Sequence, residues 1–179
     1  MIYPGLMKMR TKIPAINAEA NSVIFEVQSL FTQGTGTACI TGQVASNIHE
    51  CVSVAWSIIN HKYYDLKNLD VHVHFTDGSF YKEGTSCGLA VIISMLDSLG
   101  VIKTPYRNVL ISGEIDLYGN VYGVGGVKEK TRDLNNKNID LIILPKENYG
   151  ETENNYSPIK YLENVDEFVR EYASEKINF

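Results

Sequence analysis

Val71-His72-Val73-His74-Phe75-Thr76-Asp77-Gly78-Ser79-Phe80-Tyr81-Lys82-Glu83-Gly84-Thr85-Ser86-Cys87-Gly88-Leu89-Ala90-Val91-Ile92-Ile93 (residues 71–93) changes period twice. Its first five residues alternate apolar and polar, which predicts a short strand with one face buried. Thr76 to Gly84 reads as a loop. From Ser86 to Leu99 the period is helical. Leu89, Ile92, Ile93, Leu96 and Leu99 form one apolar stripe, and Gly100 is a natural stop.

The flanks continue the alternation of element types. Upstream, Val23 to Phe31 alternates in strand fashion, and Gln33-Gly34-Thr35-Gly36 reads as a hairpin turn into a second strand, Thr37 to Gly42. Ile48, Cys51, Val52, Ala55, Ile58 and Ile59 then make a helical stripe ending near His61. Downstream, Val109 to Ile115 and Val121 to Val124 read as strands joined by a turn at Tyr118-Gly119-Asn120. A helix from Val127 to about Asn136 comes next, then a strand from Ile139 to Leu144 ended by Pro145, and a last helix from Asn164 to Ser174. Residues 1–22 show no sustained period and are expected to be a loosely attached arm; residues 23–179 are expected to be one domain. The order predicts a mixed α/β (α+β) fold.

The composition suits that reading. The chain has 179 residues, 44% of them hydrophobic and 21% charged, as in an ordinary globular domain with one core. A formal net charge of -5 argues against a dedicated nucleic-acid binder. The longest aliphatic run, Leu89 to Ile93, is far short of a membrane span, and residues 1–21 contain no apolar core of a secretion signal. Cys39, Cys51 and Cys87 form no CxxC pair, so reduced thiols, no metal and a cytoplasmic location are expected. No GxxxxGK[ST] loop occurs, which argues against ATP hydrolysis by this chain.

Four groups could carry chemistry. Ser86 stands where a glycine-containing loop enters an apolar helix, close to N–H groups that lack intrahelical partners and could hold an oxyanion. It reads either as a nucleophile or, with Thr85, as a plain N-cap. In Gly123-Val124-Gly125-Gly126-Val127-Lys128-Glu129-Lys130 the glycines let the backbone pack closely and would aim Lys128 inward. A buried amine there could lose its proton and act as a base; otherwise Lys128 and Lys130 are solvated surface lysines. His72 and His74 share a strand face, as metal ligands or as cross-strand packing. Cys87 is either a thiol nucleophile or a small buried side chain.

Together these segments resemble the proteolytic domain of Lon proteases. Glu83-Gly84-Thr85-Ser86-Cys87-Gly88 fits the family's nucleophile motif, (D/E)-G-x-S-(A/x)-(G/S). Ser112-Gly113-Glu114-Ile115-Asp116-Leu117-Tyr118-Gly119-Asn120-Val121, with Gly125-Gly126-Val127-Lys128-Glu129-Lys130, fits its lysine motif. Leu144-Pro145-Lys146-Glu147-Asn148, Thr41-Gly42-Gln43 and the Val71–His74 strand are also similar to that domain.

The resemblance implies the Lon proteolytic fold, with the ribosomal protein S5 domain 2-like architecture, and a Ser–Lys dyad peptidase. Ser86 would be the nucleophile and Lys128 the general base, supported by Glu83, Gly84, Thr85, Cys87 and Ser112. Ser112 takes the place of a family threonine whose hydroxyl orients the lysine. Thr85, Cys87 and Glu83 replace residues common in the family.

By that resemblance the chain is expected to be an ATP-independent serine endopeptidase without cofactor, cleaving unfolded or partner-delivered polypeptides. It would assemble as a homo-oligomer, a hexameric ring by family, with a separate ATPase or activator as partner and no nucleic acid or membrane. The alternative is a non-proteolytic scaffold or regulatory binding module on the same fold.

Overall fold

The computed structural model describes residues 8–153 and 157–174. In chain order the elements are β1 (Arg10–Ile16), β2 (Ser22–Gln33), β3 (Ala38–Thr41), α1 (Ser46–Lys62), β4 (Leu69–Phe75), a 3-10 turn (Thr85–Cys87), α2 (Gly88–Leu99), β5 (Asn108–Ile111), β6 (Glu114–Ile115), β7 (Val121–Tyr122), α3 (Val127–Thr131), β8 (Leu141–Pro145), β9 (Ile159–Leu162) and α4 (Val165–Tyr172). Seven strands form one sheet in the order β3-β4-β2-β1-β5-β8-β9, and β6 with β7 forms a separate small hairpin. The pairs β1/β2 and β2/β4 are antiparallel, and the other four are parallel. The fold is the mixed α/β type that the alternation of periods predicts.

The main core lies between the sheet and helices α1 and α2. Strand β4 turns Val71, Val73 and Phe75 into it and leaves His72 and His74 outside. All six stripe residues of α1 are buried. Helix α2 buries every residue from Gly88 to Leu96 and stops at Gly100, whose φ of 73° is the left-handed conformation that glycine supplies without strain. A smaller core covers part of the sheet's other face, where Val127 and Leu134 pack with Leu110, Ile142 and Leu144. Strands β5 and β8 therefore contribute to both cores, which explains their unbroken apolar runs. Asn164 caps α4: its side chain accepts from the Asp166 N–H, and Glu167 reaches back to the Asn164 N–H in a capping box.

Four local expectations are corrected. Residues 10–16, assigned to a loose arm, form β1 near the middle of the sheet; residues 1–7 of that arm lie outside the described residues. Pro14 is tolerated because the β1/β5 pairing covers only Arg10 to Lys12. Strand β3 does not hairpin with β2. It lies parallel to β4 across the α1 crossover, and Asp70 of β4 accepts the N–H groups of Thr35, Gly36 and Thr37 that a hairpin turn would have used otherwise. The run from Val109 to Ile115 breaks at Ser112-Gly113 into β5 and β6, and α3 is one short turn. Strand β9 is an additional element that the periodicity does not predict.

Asp97, in the last turn of α2, accepts the Met9 N–H, and burial pushes its carboxyl up to about 6. A carboxyl raised on folding stabilises the fold at low pH, and that contribution is lost as pH rises through about 6. Asp97→Asn keeps the acceptor and should raise stability at pH 7 by about 1–2 kcal/mol, after allowance for partial exposure. Thermal melts at pH 7 and pH 4 check this, because the gain must shrink at pH 4.

Candidate active site

Ser86 sits in the 3-10 turn that leads directly into α2. Gly84 opens that turn with φ 101°, a conformation that disfavours any residue with a side chain. Neither the 3-10 turn nor α2 has a side-chain cap, so the simple N-cap reading of Ser86 and Thr85 does not hold. The Thr85 hydroxyl instead donates to Glu114 (2.8 Å). The half-buried Ser86 hydroxyl has no hydrogen bond among the described residues, while its carbonyl accepts from Gly113 N–H (2.8 Å) and from the Ser112 hydroxyl (3.4 Å).

The Ser86 turn is thereby stapled to the end of β5. Leu89 N–H returns a bond to the Gly113 carbonyl (2.9 Å), and Gly88 N–H bonds the Thr85 carbonyl. Two of the first-turn donors assigned to an oxyanion are thus already engaged. A side chain at Gly113 would stand 2.9 Å from a Leu89 methyl and 3.2 Å from one of Val121, so glycine lets the two segments meet without displacing either side chain. Ser112 is 1% exposed, and its hydroxyl faces the Ser86 main chain rather than a lysine.

Cys51 of α1 donates to the Thr85 carbonyl (3.6 Å) and Cys87 to the Gly84 carbonyl (3.7 Å), so two thiols line the inner side of the turn. The contact with Cys51, reinforced by burial, pushes the Cys87 thiol well above its ordinary range. Cys87 is a buried packing residue here, since a nucleophilic thiol needs the opposite shift. Glu83 is exposed and has no hydrogen bond or ion pair among the described residues. His72 and His74 both meet the Thr41 hydroxyl, at 2.9 and 2.7 Å. The described residues hold no group of three or more His, Cys, Asp or Glu side chains able to bind a metal.

Lys128 departs from expectation. Val127 is the residue that α3 turns into the core, and Lys128 points outward with its side chain 56% exposed. Its ammonium pairs with Glu153 at 2.8 Å, and that contact raises its pKa above the ordinary lysine value. The buried, depressed amine that the glycine loop suggested is absent from this conformation. Lys130, grouped with it as a surface lysine, is the desolvated one: it is 8% exposed, and burial lowers its pKa. Gly126 positions α3 with φ 70°, and a side chain there would lie 2.7 Å from Ile16. No bond joins Ser86 to Lys128 among the described residues. Glu153 and Glu114 are the two site residues that sequence reasoning did not single out. Glu114 lay inside a quoted motif, whereas nothing in its own surroundings marks Glu153.

Residues 16–171 match the family of the Lon protease C-terminal proteolytic domain. The chain is 35% identical over 129 residues to a Lon protease of Clostridium acetobutylicum, covering 68% of this chain and 16% of that protein. It is 37% identical over 130 residues to one of Fervidobacterium nodosum (68% and 16%), and 28% identical over 167 residues to one of Dictyoglomus thermophilum (89% and 21%). The chain thus spans about a fifth, or less, of the length of these relatives. No helix among the described residues is long and apolar enough to cross a membrane. A match over residues 16–171, on the α/β fold described, makes the chain a member of the Lon protease proteolytic-domain family.

Proposed function

We propose that this chain hydrolyses peptide bonds of unfolded polypeptides, with Ser86 as nucleophile and Lys128 as general base, and needs no nucleotide to do so. The observation that carries the reading is the Ser86 turn: its carbonyl is doubly anchored while its hydroxyl is neither capping a helix nor hydrogen-bonded among the described residues. In the reaction Ser86 Oγ attacks the scissile carbonyl as neutral Lys128 takes its proton, and the lysine later protonates the leaving amine. That sequence requires Lys128 to part from Glu153 and reach Ser86. Further copies of the chain, arranged as a ring, and a separate ATPase or activator are the proposed partners.

The Lys128–Glu153 pair favours a second reading, a non-catalytic binding module, because an amine held charged accepts no proton. The deciding experiment is nucleotide-free cleavage of casein combined with labelling by a fluorophosphonate probe. Cleavage together with an adduct on Ser86 supports the peptidase. An inert, unlabelled protein supports the module.

The same pair sets the pH dependence. Only neutral Lys128 is a base, so the rate should climb with pH, and Glu153 shifts that climb upward. Glu153→Gln removes the partner, lowers the lysine pKa and should raise cleavage at pH 8 a few-fold, in keeping with the modest strength of exposed pairs. A pH–rate profile identical to wild type would sink this assignment.

A further inference from the structure

Lys82 is 2% exposed, although its side chain ends in a charge. A buried ammonium is costly unless paired, yet no carboxylate lies within salt-bridge distance among the described residues. Its three donors are met instead by three main-chain carbonyls: Gly42 (3.0 Å), Phe80 (3.2 Å) and Asp77. The nitrogen also lies 4.4 Å from the Phe80 ring centroid and 5.4 Å from that of Phe25. An apolar side chain would fill this space without the desolvation cost, so the charge is there to gather carbonyls.

Those carbonyls come from two separate segments. Gly42 belongs to the turn between β3 and α1, while Asp77 and Phe80 belong to the loop after β4. The Lys82 main chain ties the same two segments: its N–H donates to Gln43 (2.9 Å), and its carbonyl accepts from Ala45 N–H (2.8 Å) at the uncapped start of α1. From that knot only Glu83 and the left-handed Gly84 separate Lys82 from the Ser86 turn. Beyond Ser86 the next fixed point is the bond from Gly113 N–H to its carbonyl. Within the turn Thr85 is held to Glu114 and Cys51, and its two ends are anchored by Lys82 on one side and Gly113 on the other.

We propose that Lys82 is a positioning residue, whose buried ammonium locks the loop after β4 onto the β3–α1 turn and so holds Ser86 where it reacts. The assignment extends the reading of Ser86 as nucleophile but is tested partly apart from it. Lys82→Met keeps the stem against Phe25 and Phe80 and removes the three donors. In the full chain, hydrogen exchange followed by mass spectrometry should show the Gly113 and Leu89 amides losing protection by about tenfold or more, with Val109 to Ile111 in β5 unchanged. Casein cleavage should fall on the order of 100-fold in kcat, with KM within about threefold of wild type.

Wild-type protection at Gly113 and Leu89 overturns the proposal whatever the cleavage rate. So does protection lost equally throughout β5 and β8, which marks a purely structural lysine. Unchanged kcat with local protection lost overturns the link to Ser86. Local loss in a protein whose wild type never cleaves leaves Lys82 as the anchor and counts against the peptidase instead. If Lys82→Met gives no cooperative melt, Lys82→Arg takes its place: a planar fork fits three carbonyls around one nitrogen poorly, and the same two amides must lose protection.

Discussion

Ser86→Ala should reduce nucleotide-free casein cleavage about a thousandfold or more while leaving the thermal midpoint within about 2 °C of wild type. The two parts of this result have separate causes. The hydroxyl is the only atom removed, and it makes no hydrogen bond among the described residues; the bonds that fix the turn run through the Ser86 carbonyl, which alanine keeps. On the proposed mechanism cleavage depends on an oxygen nucleophile at this point of the chain, which alanine lacks. Lys128→Met should cost a similar factor if Lys128 is the base; a small loss would point instead to the buried Lys130 of the same motif. Because nucleophile and base act as a unit, the double variant should be no slower than the slower single variant. Ser86→Ala retaining even a tenth of wild-type cleavage would move the nucleophile elsewhere. Losses that multiply in the double variant would separate the two residues' roles.

Gly42→Ala should lower stability by about 3 kcal/mol or more, a fall of roughly 6–12 °C in the thermal midpoint for a chain of this size. Gly42 has φ +117°, and a methyl there would stand 2.1 Å from the main-chain oxygen of Phe75. Backbone cannot retreat as a flexible side chain can, so strain and overlap act together. The displaced turn would also move the Gly42 carbonyl off Lys82. Gly36→Ala separates the two contributions: Gly36 has φ +94°, but a methyl there meets nothing within 4 Å. That variant should lose only about 1 kcal/mol from conformational strain. Equal melts for the two would show that the overlap at Phe75 is relieved at little cost.

Much of the architecture was readable from periodicity. The alternation at Val71 to Phe75 and the stripe of α1 match the buried faces residue by residue, whereas α2 is buried all round from Gly88 to Leu96 and leaves the stripe residue Leu99 half-buried. The capping box at Asn164 and the stop at Gly100 are local chemistry, written in side chains a few residues apart. Pairing is different, because a strand's pattern states which face is apolar and not which neighbour it meets. Gly34 to Gly36 has hairpin composition, yet the Thr35 and Gly36 N–H groups go to Asp70 and that of Gly34 to the Asn68 carbonyl, and the strand after it pairs with β4. Strand β1 was obscured by Arg10, Lys12 and Pro14, of which Pro14 is tolerated because β5 pairs only with Arg10 to Lys12.

By itself the sequence determined the class of fold, the apolar faces of the longer elements, and the motifs around Ser86 and Lys128, because periodicity, caps and motif spacing are short-range properties. Only the tertiary structure decided what surrounds those residues. It ties the Ser86 carbonyl to Gly113, gathers three carbonyls onto Lys82 and turns Lys128 outward to Glu153. Each of these contacts joins segments brought together by folding. Whether a lysine is buried as a cation, held in an ion pair or left to a proton depends on that surrounding field of dipoles and charges, which its neighbours in sequence do not set.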